Sequence, residues 1–348
     1  MFKTLFAEKD VISFSDFVRY ALYGPNGYYK KNFTIGPEGD FYTSPSVSKL
    51  FGKTIGYFFS KIILEKFPKD KISIVEIGSN NGELIKNVLD FFVGYHLDIH
   101  ERLEVFVVEA NLSAKNKIIN NLASYKDQIT IVPSISKIKS RTKESIILCN
   151  ELFDALPFDR CVSRNNKFFQ TNIFTDKKNI FERQDKADKN LIKFMKRFNL
   201  KIKENFFFEI PSFEYEQIFK DLSEKFDKMF FLISDYGDKS DYFNLSSDPF
   251  GTARCFYNHQ VSRNFYKNIF NQDITHDVNF SLLTKIAFNY GFNEVDFVSQ
   301  NRFLLDNNIL DIYENFDSLE KIELTQQLKK LVLPNFLGEK FKFLSLRN

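Results

Sequence analysis

Short apolar runs alternate with amphipathic stretches through the middle of the chain. ISIVEIG (72–78), LEVFVVEAN (103–111), QITIVP (128–133) and SIILCNE (145–151) are rich in β-branched residues and end in polar or glycine-bearing turns. Such runs predict strands buried on both faces. Between them GELIKNVLDFFV (82–93) and a stretch around 112–124 place apolar residues at helical spacing. Repeated strand–helix units predict an α/β fold: a mostly parallel sheet with helices on both faces and right-handed crossovers. MFFLISDYG (229–237) predicts a further core strand, and GFNEVDFV (291–298) and KFKFLSL (340–346) predict closing strands.

The flanking pattern differs. Residues 1–70 read as an N-terminal lobe in which ISFSDFVRYALY (12–23) is helical and Gly24-Pro25-Asn26-Gly27 stops it. A polar loop from Gly36 to Pro45 follows, then a long amphipathic helix over 46–67. From Phe158 to about 212 an insertion precedes the fifth core strand; RCVSRNNKFFQTNIF predicts a hairpin turning at Asn165-Asn166. Residues 186–203 form a basic amphipathic helix, which as a surface helix presents a solvated lysine face.

With 348 residues the chain predicts one catalytic domain, 71–348, carrying the 158–212 insertion and the N-terminal lobe as active-site cover. A net charge of +3 is too small to point to a nucleic-acid partner. Forty-three Phe against no Trp is a compositional bias. Cys149, Cys161 and Cys255 are odd in number and far apart, without disulfide or zinc spacing, and His96 and His100 find no third ligand nearby, so no metal is expected. The N-terminus lacks the pattern of a secretion signal and no apolar run is long enough to span a bilayer, so a cytoplasmic home and no membrane insertion are expected.

Chemistry gathers at the ends of the strands. Val75-Glu76-Ile77-Gly78-Ser79-Asn80-Asn81-Gly82 carries a strand through a glycine-bearing turn into a helix, where backbone N–H groups are free to meet a nucleotide-like ligand. The same turn is also a common structural element. Glu109, the acid at the tip of the second strand, has the position that hydrogen-bonds ribose in doubly wound folds, or is a solvated strand-end carboxylate. The turn departs from G-x-G-x-x-G, which leans away from a dinucleotide, and Asn80 is the residue type best able to share positive φ with glycine. Asn150-Glu151-Leu152-Phe153-Asp154-Ala155-Leu156-Pro157 sets three polar residues on the same rim, or forms a capped turn, and Asp235 ends the later core strand in the same way.

Read together, ISFSDFVRYALYGPNGYY, GDFYTSPSVSKLFG, VEIGSNNGEL, NELFDALP, SDYG, GTARCFYNH, DITHDVNFSLL and LVLPNFLGEKFKFL resemble the MidA-like methyltransferases across nearly the whole chain. That family includes an arginine methyltransferase that assists respiratory complex I assembly. The resemblance implies a class I, Rossmann-like methyltransferase fold using S-adenosyl-L-methionine, held by Glu76, Gly78, Asn80, Gly82 and Glu109, with Thr43, Ser44 and Pro45 as wall residues of the active site. It puts Asn150, Glu151 and Asp154 near the transferred methyl, with Asp235 a second-tier catalytic candidate. By analogy the substrate is arginine on a partner protein, with symmetric dimethylation and a respiratory-complex partner as its furthest extension. The family usually has glycine at Asn80, an acid at Ser46, and a differently ordered segment at 273–280, which leaves that segment without an assigned role.

Arginine explains why two carboxylates would be needed. A guanidinium stays protonated in water; paired carboxylates hold its fork, polarise it, and one accepts the proton released on methylation. Methylation of a small molecule or another nitrogen, and a catalytically weak assembly protein with the same fold, are the competing readings. His259 reads as a structural residue, and Arg254 either contacts an acidic group of the ligands or makes a salt bridge.

Overall fold

The structure is a computed structural model that describes residues 6, 11–30, 43–67, 71–176 and 179–348. The Gly39–Tyr42 part of the GDFYTSPSVSKLFG motif, and residues 36–42 of the expected polar loop, lie outside the described residues. In chain order β1 (Val11–Ser13) leads into α1 (Phe14–Tyr23), and α2 (Ser44–Val47) into α3 (Lys49–Lys66). The strand–helix series follows: β2 (Ile72–Ile77), α4 (Glu83–Tyr95), β3 (Leu103–Val108), α5 (Lys115–Asn121), β4 (Ile129–Val132) and β5 (Glu144–Asn150). The insertion carries β6 (Phe158–Arg164), β7 (Lys167–Thr175), β8 (Ile180–Lys186), α6 (Lys189–Phe198) and β9 (Phe207–Pro211). Then come α7 (Glu214–Lys225), β10 (Lys228–Asp238), β11 (Arg254–Tyr257), β12 (Gln260–Ser262), β13 (Asp273–Thr275) and β14 (Val278–Asn279). The chain closes with α8 (Phe280–Phe288), β15 (Asn293–Ser299), α9 (Gln300–Asp306), α10 (Ser318–Val332) and β16 (Phe341–Arg347).

The main sheet runs β15-β16-β10-β5-β2-β3-β4. The five strands from β10 to β4 are parallel, and β16 and β15 close the far side antiparallel. Alternation along each strand sends neighbouring side chains to opposite faces. Ile72, Ile74, Val105, Val107, Ile146 and Leu148 pack with α3 and α4 on one side. Val75, Ile77, Phe106, Val108, Ile147 and Cys149 pack with α7 and α8 on the other. That double burial is why the strands read as unbroken apolar runs. On the first face two small residues set the helix spacing. A Cβ on Gly52 would stand 2.5 Å from the Asn87 Cβ, and one on Gly56 would stand 2.8 Å from the Phe91 Cβ, so α3 and α4 approach closely there.

The insertion builds a separate five-stranded sheet between β5 and β10. Its β6–β7 hairpin turns at Asn165 and Asn166, both at positive φ (52° and 57°), as the asparagine pair predicts. β1 pairs antiparallel with β7, so the beginning of the expected N-terminal lobe is part of this second sheet, while α3 belongs to the core of the first. A third apolar cluster, including Phe14, Phe17, Phe158, Phe265 and Ile274, ties α1 to the insertion and to the small β12-β11-β13 sheet. α1 and β13 thereby reach the C-terminal rim of the main sheet.

Candidate active site

A cavity of about 350 Å³ opens beyond the carboxyl ends of β2, β3 and β5, where ligands bind in open α/β sheets. Its floor begins with the turn after β2. Gly78, Asn80 and Gly82 all have positive φ (76°, 53° and 80°), the conformation glycine adopts without cost and asparagine tolerates best. Asn80 therefore takes the backbone shape that the family's glycine would. The turn is latched from the second strand: Asn80 N–H donates to Glu109 Oε2 (2.8 Å) and Asn111 N–H to Glu109 Oε1 (2.7 Å). Both Glu109 oxygens thus support the cradle from within it. Beside them Glu76 is buried and accepts the Ser79 hydroxyl at 2.6 Å; burial pushes its carboxyl up to about 8.

The opposite wall comes from the segment after β5. Glu151 has φ +49°, a left-handed conformation that a non-glycine residue adopts only under constraint. Asn150 Nδ2 donates to Glu151 Oε1 (2.9 Å), and the Tyr236 hydroxyl and Ser44 N–H also serve the Glu151 carboxyl. Asp154 Oδ2 accepts the Thr275 hydroxyl at 2.9 Å. Burial holds Glu151 well above the usual carboxylate range, with the Asp154 charge adding to the rise; burial likewise pushes Asp154 up to about 6. Asn150 Oδ1 and Asp154 Oδ1 are buried without a hydrogen-bond partner among the described residues.

Glu76, Gly78, Asn80, Glu109, Thr43, Pro45, Asn150, Glu151 and Asp154 meet around the one cavity. Three expected site residues stand apart from its lining. Gly82 lies at the start of α4, where an added Cβ would meet Leu122 at 3.2 Å, so it serves helix packing. Ser44 turns its hydroxyl to Gln300 (2.8 Å) and reaches the site only through its N–H. Asp235 corrects the catalytic expectation: it is fully buried behind the wall and accepts the N–H groups of Phe153 (2.9 Å), Tyr236 (2.9 Å) and Asp154 (3.4 Å). It fixes the 150–156 segment instead of facing a ligand. These acids look alike in sequence, but Glu109, Glu151 and Asp154 line the cavity and Asp235 does not.

Several lining residues escape sequence reasoning. Tyr23 and Tyr29 stack at 5.4 Å; Tyr23 donates to Ala155 O (2.8 Å) and Tyr29 to Asp273 Oδ1 (2.9 Å). Asp273 lines the cavity, and Thr275 holds Asp154, so the 273–280 segment does contribute to the site. The signal was available in DITHDVNFSLL, whose polar residues sit where β13 meets the rim. His276 is buried against Phe158, with Nδ1 beside Asp277 O (3.0 Å), and burial lowers it to about 4. His259 is exposed in the β11–β12 turn and does not line the cavity. Arg254 makes the salt bridge, to Asp277. Among the described residues no cluster of three metal-ligating side chains occurs.

Comparison with known proteins agrees with this geometry. Residues 54–298 match the family model described as an S-adenosyl-L-methionine-dependent methyltransferase. A zebrafish protein, "Protein arginine methyltransferase NDUFAF7, mitochondrial", is 25% identical over 97% of this chain and 83% of its own length. The human protein of the same name is 25% identical over 42% of this chain and 38% of its length. A crystal structure of a methyltransferase-type superfamily member from Burkholderia thailandensis, bound to S-adenosyl-homocysteine, superposes with a TM-score of 0.82 at 20% identity, covering 97% of this chain and 88% of that one. These relatives overturn the cytoplasmic expectation, because their names carry a mitochondrial location. No helix among the described residues is long and apolar enough to cross a membrane.

Proposed function

The chain belongs to the MidA-like family of S-adenosyl-L-methionine-dependent methyltransferases, and from that premise we propose that it methylates an arginine side chain of a partner protein. The carrying observation is the pair of carboxylates, Glu151 and Asp154, that line one wall of the cavity beside Asn150. Burial works against the charge of both carboxylates unless a cation or hydrogen-bond donors meet them. A guanidinium, which brings five N–H donors and no acceptor, is the side chain that satisfies them. The names of the relatives, protein arginine methyltransferases, point the same way.

The cavity's residues fit the cofactor. A Cβ at Gly78 would stand 3.1 Å from Leu152, so the bare backbone leaves room at the cradle, and Glu109 retains lone pairs toward the cavity. Gly78, Asn80, Glu76 and Glu109 would hold it, with Thr43 and Pro45 from the N-terminal cover closing the side. When bound, the cofactor supplies an electrophilic methyl group on a sulfonium. Glu151 and Asp154 would grip the guanidinium fork and concentrate its charge away from the attacking nitrogen. Asn150, beside them on the wall, would help orient that nitrogen for in-line approach. Asp154, already raised toward neutrality, takes the proton the nitrogen gives up as it gains its methyl.

The test combines turnover and binding. Arginine-containing protein substrates incubated with the enzyme and S-adenosyl-L-methionine should yield methylarginine by mass spectrometry, and fragmentation distinguishes symmetric from asymmetric dimethylation. Glu151→Gln should lower turnover by about 100-fold or more while titration with S-adenosyl-homocysteine is unchanged. Unchanged turnover would eliminate Glu151's role, and methyl incorporation only at other residues would replace arginine as substrate.

A further inference from the structure

The GTARCFYNH and DITHD motifs pair with each other rather than with a ligand. Arg254 of β11 stands opposite Thr275 of β13 in the antiparallel register. From that small sheet two lines of contact run to the two carboxylates. Thr275 Oγ1 donates to Asp154 Oδ2 (2.9 Å), and His276 N–H donates to the Asp154 carbonyl (3.2 Å). The Arg254 guanidinium lies 5.6 Å from the Tyr236 ring centroid, anchored by Thr252 O (3.0 Å) and by its ion pair with Asp277. Tyr236 in turn serves the Glu151 carboxyl.

We propose that the β11–β13 sheet is a clamp that sets the carboxylate pair: Thr275 is a positioning residue for Asp154, and Arg254, acting through Tyr236 and through its charge, is a positioning residue for both acids. The inference rests on the reading of Glu151 and Asp154 as the substrate-gripping pair. Three acids face one another here. Asp235 and Glu151 repel the Asp154 charge, and Asp277 adds to the negative field; His276 is neutral. Burial raises Asp154, and the Thr275 hydroxyl and the Arg254 guanidinium act against that rise. Without the clamp the same acids would share protons, and a neutral pair cannot hold a cation. Its anchor is firm because Arg254 does not need to leave Asp277 to act: a delocalised guanidinium offers Nη1 to the carboxylate and its face to the ring at once.

The experiment reads Asp154 directly. In protein labelled with ¹³C at aspartate carboxyls, the Asp154 resonance is assigned from its loss in Asp154→Asn and titrated in wild type, Thr275→Val, Thr275→Ser, Arg254→Gln and Arg254→Lys. Thr275→Val and Arg254→Gln should each move the Asp154 midpoint upward by about one pH unit, the size of a nearby charge or hydrogen bond. Thr275→Ser keeps the donor and Arg254→Lys keeps the charge, and both should stay within roughly a third of that movement. In turnover, the acid limb of kcat against pH should move with the midpoint, while affinity for S-adenosyl-homocysteine stays unchanged. Midpoints that do not move in Thr275→Val and Arg254→Gln overturn the clamp, as do equal movements in the conservative variants, which would signal general disruption. The midpoints are read without any substrate. If they move as expected while wild type fails to methylate arginine, the substrate reading falls and the clamp stands.

Discussion

Glu76→Gln isolates the electrostatic cost of the cofactor cradle. Glu76 lies in a fully buried strand, is 3% exposed, and accepts hydrogen bonds from the Ser79 hydroxyl and the Ile85 N–H. Burial raises its carboxyl from an ordinary 4.5 to about 8, so the folded chain holds this proton more tightly than the unfolded chain. The associated stability is complete below the unfolded value near 4.5 and is lost as pH rises through 8. Each pH unit in that window is worth about 1.4 kcal/mol, which sets a ceiling near 5 kcal/mol over the whole interval; relaxation and water penetration reduce the realised figure to roughly half. Glutamine keeps the acceptor oxygen and has no charge to desolvate. Urea unfolding of the ligand-free protein at several values between pH 5.5 and 8.0 should show wild type losing about 1.5 kcal/mol relative to the variant across that range. Parallel pH profiles of the two proteins would refute the assignment, because they would mean that Glu76 ionises no differently in the folded chain.

Two further outcomes follow from the same geometry. Glu109→Ala removes both latches on the turn, from Asn80 N–H and Asn111 N–H, and should weaken S-adenosyl-homocysteine binding by about 10-fold or more in calorimetry, since two charge-assisted hydrogen bonds are lost. Gly52→Ala drives a Cβ to within 2.5 Å of the Asn87 Cβ and should cost about 1–3 kcal/mol of stability, read as a lowered Tm with the wild-type sheet signature retained in circular dichroism.

The core sheet was legible because β2, β3, β5 and β10 are buried on both faces and leave an apolar run with a polar end. The turn after β2 was legible for a different reason: glycine and asparagine at 78, 80 and 82 are the residues that positive φ demands, and all three have it. Asp235 shows the limit. In sequence it looks like a strand-end acid alongside Glu109 and Glu151, yet it lies inside β10, and its side chain turns into the protein and binds backbone N–H groups. Nothing in a linear pattern tells an acid facing a ligand from one facing its own loop. Thr275, 121 residues beyond Asp154, meets it only because the small β12-β11-β13 sheet folds back onto the rim. Long-range contacts of that kind leave no local trace.

The charge around the cavity constrains how its ligands can bind. Glu76, Glu83, Glu109, Glu151, Asp154 and Asp273 line it, against Lys30 and Lys117. Desolvation raises Glu76, Glu109, Glu151 and Asp154 together, which means that burial works against charge at each of them. A cationic ligand reverses that balance: it favours the ionised carboxylates and thereby releases protons on binding. Both cationic partners of the proposed reaction, a sulfonium and a guanidinium, have this effect. Binding of either one makes the next carboxylate easier to ionise only if the two charges act on different acids, which the arrangement provides: Glu76 and Glu109 stand at the turn after β2, and Glu151 and Asp154 stand on the segment after β5. Under the proposed reaction, separate acids for separate cations would let one 350 Å³ space hold two positive charges with each of them answered.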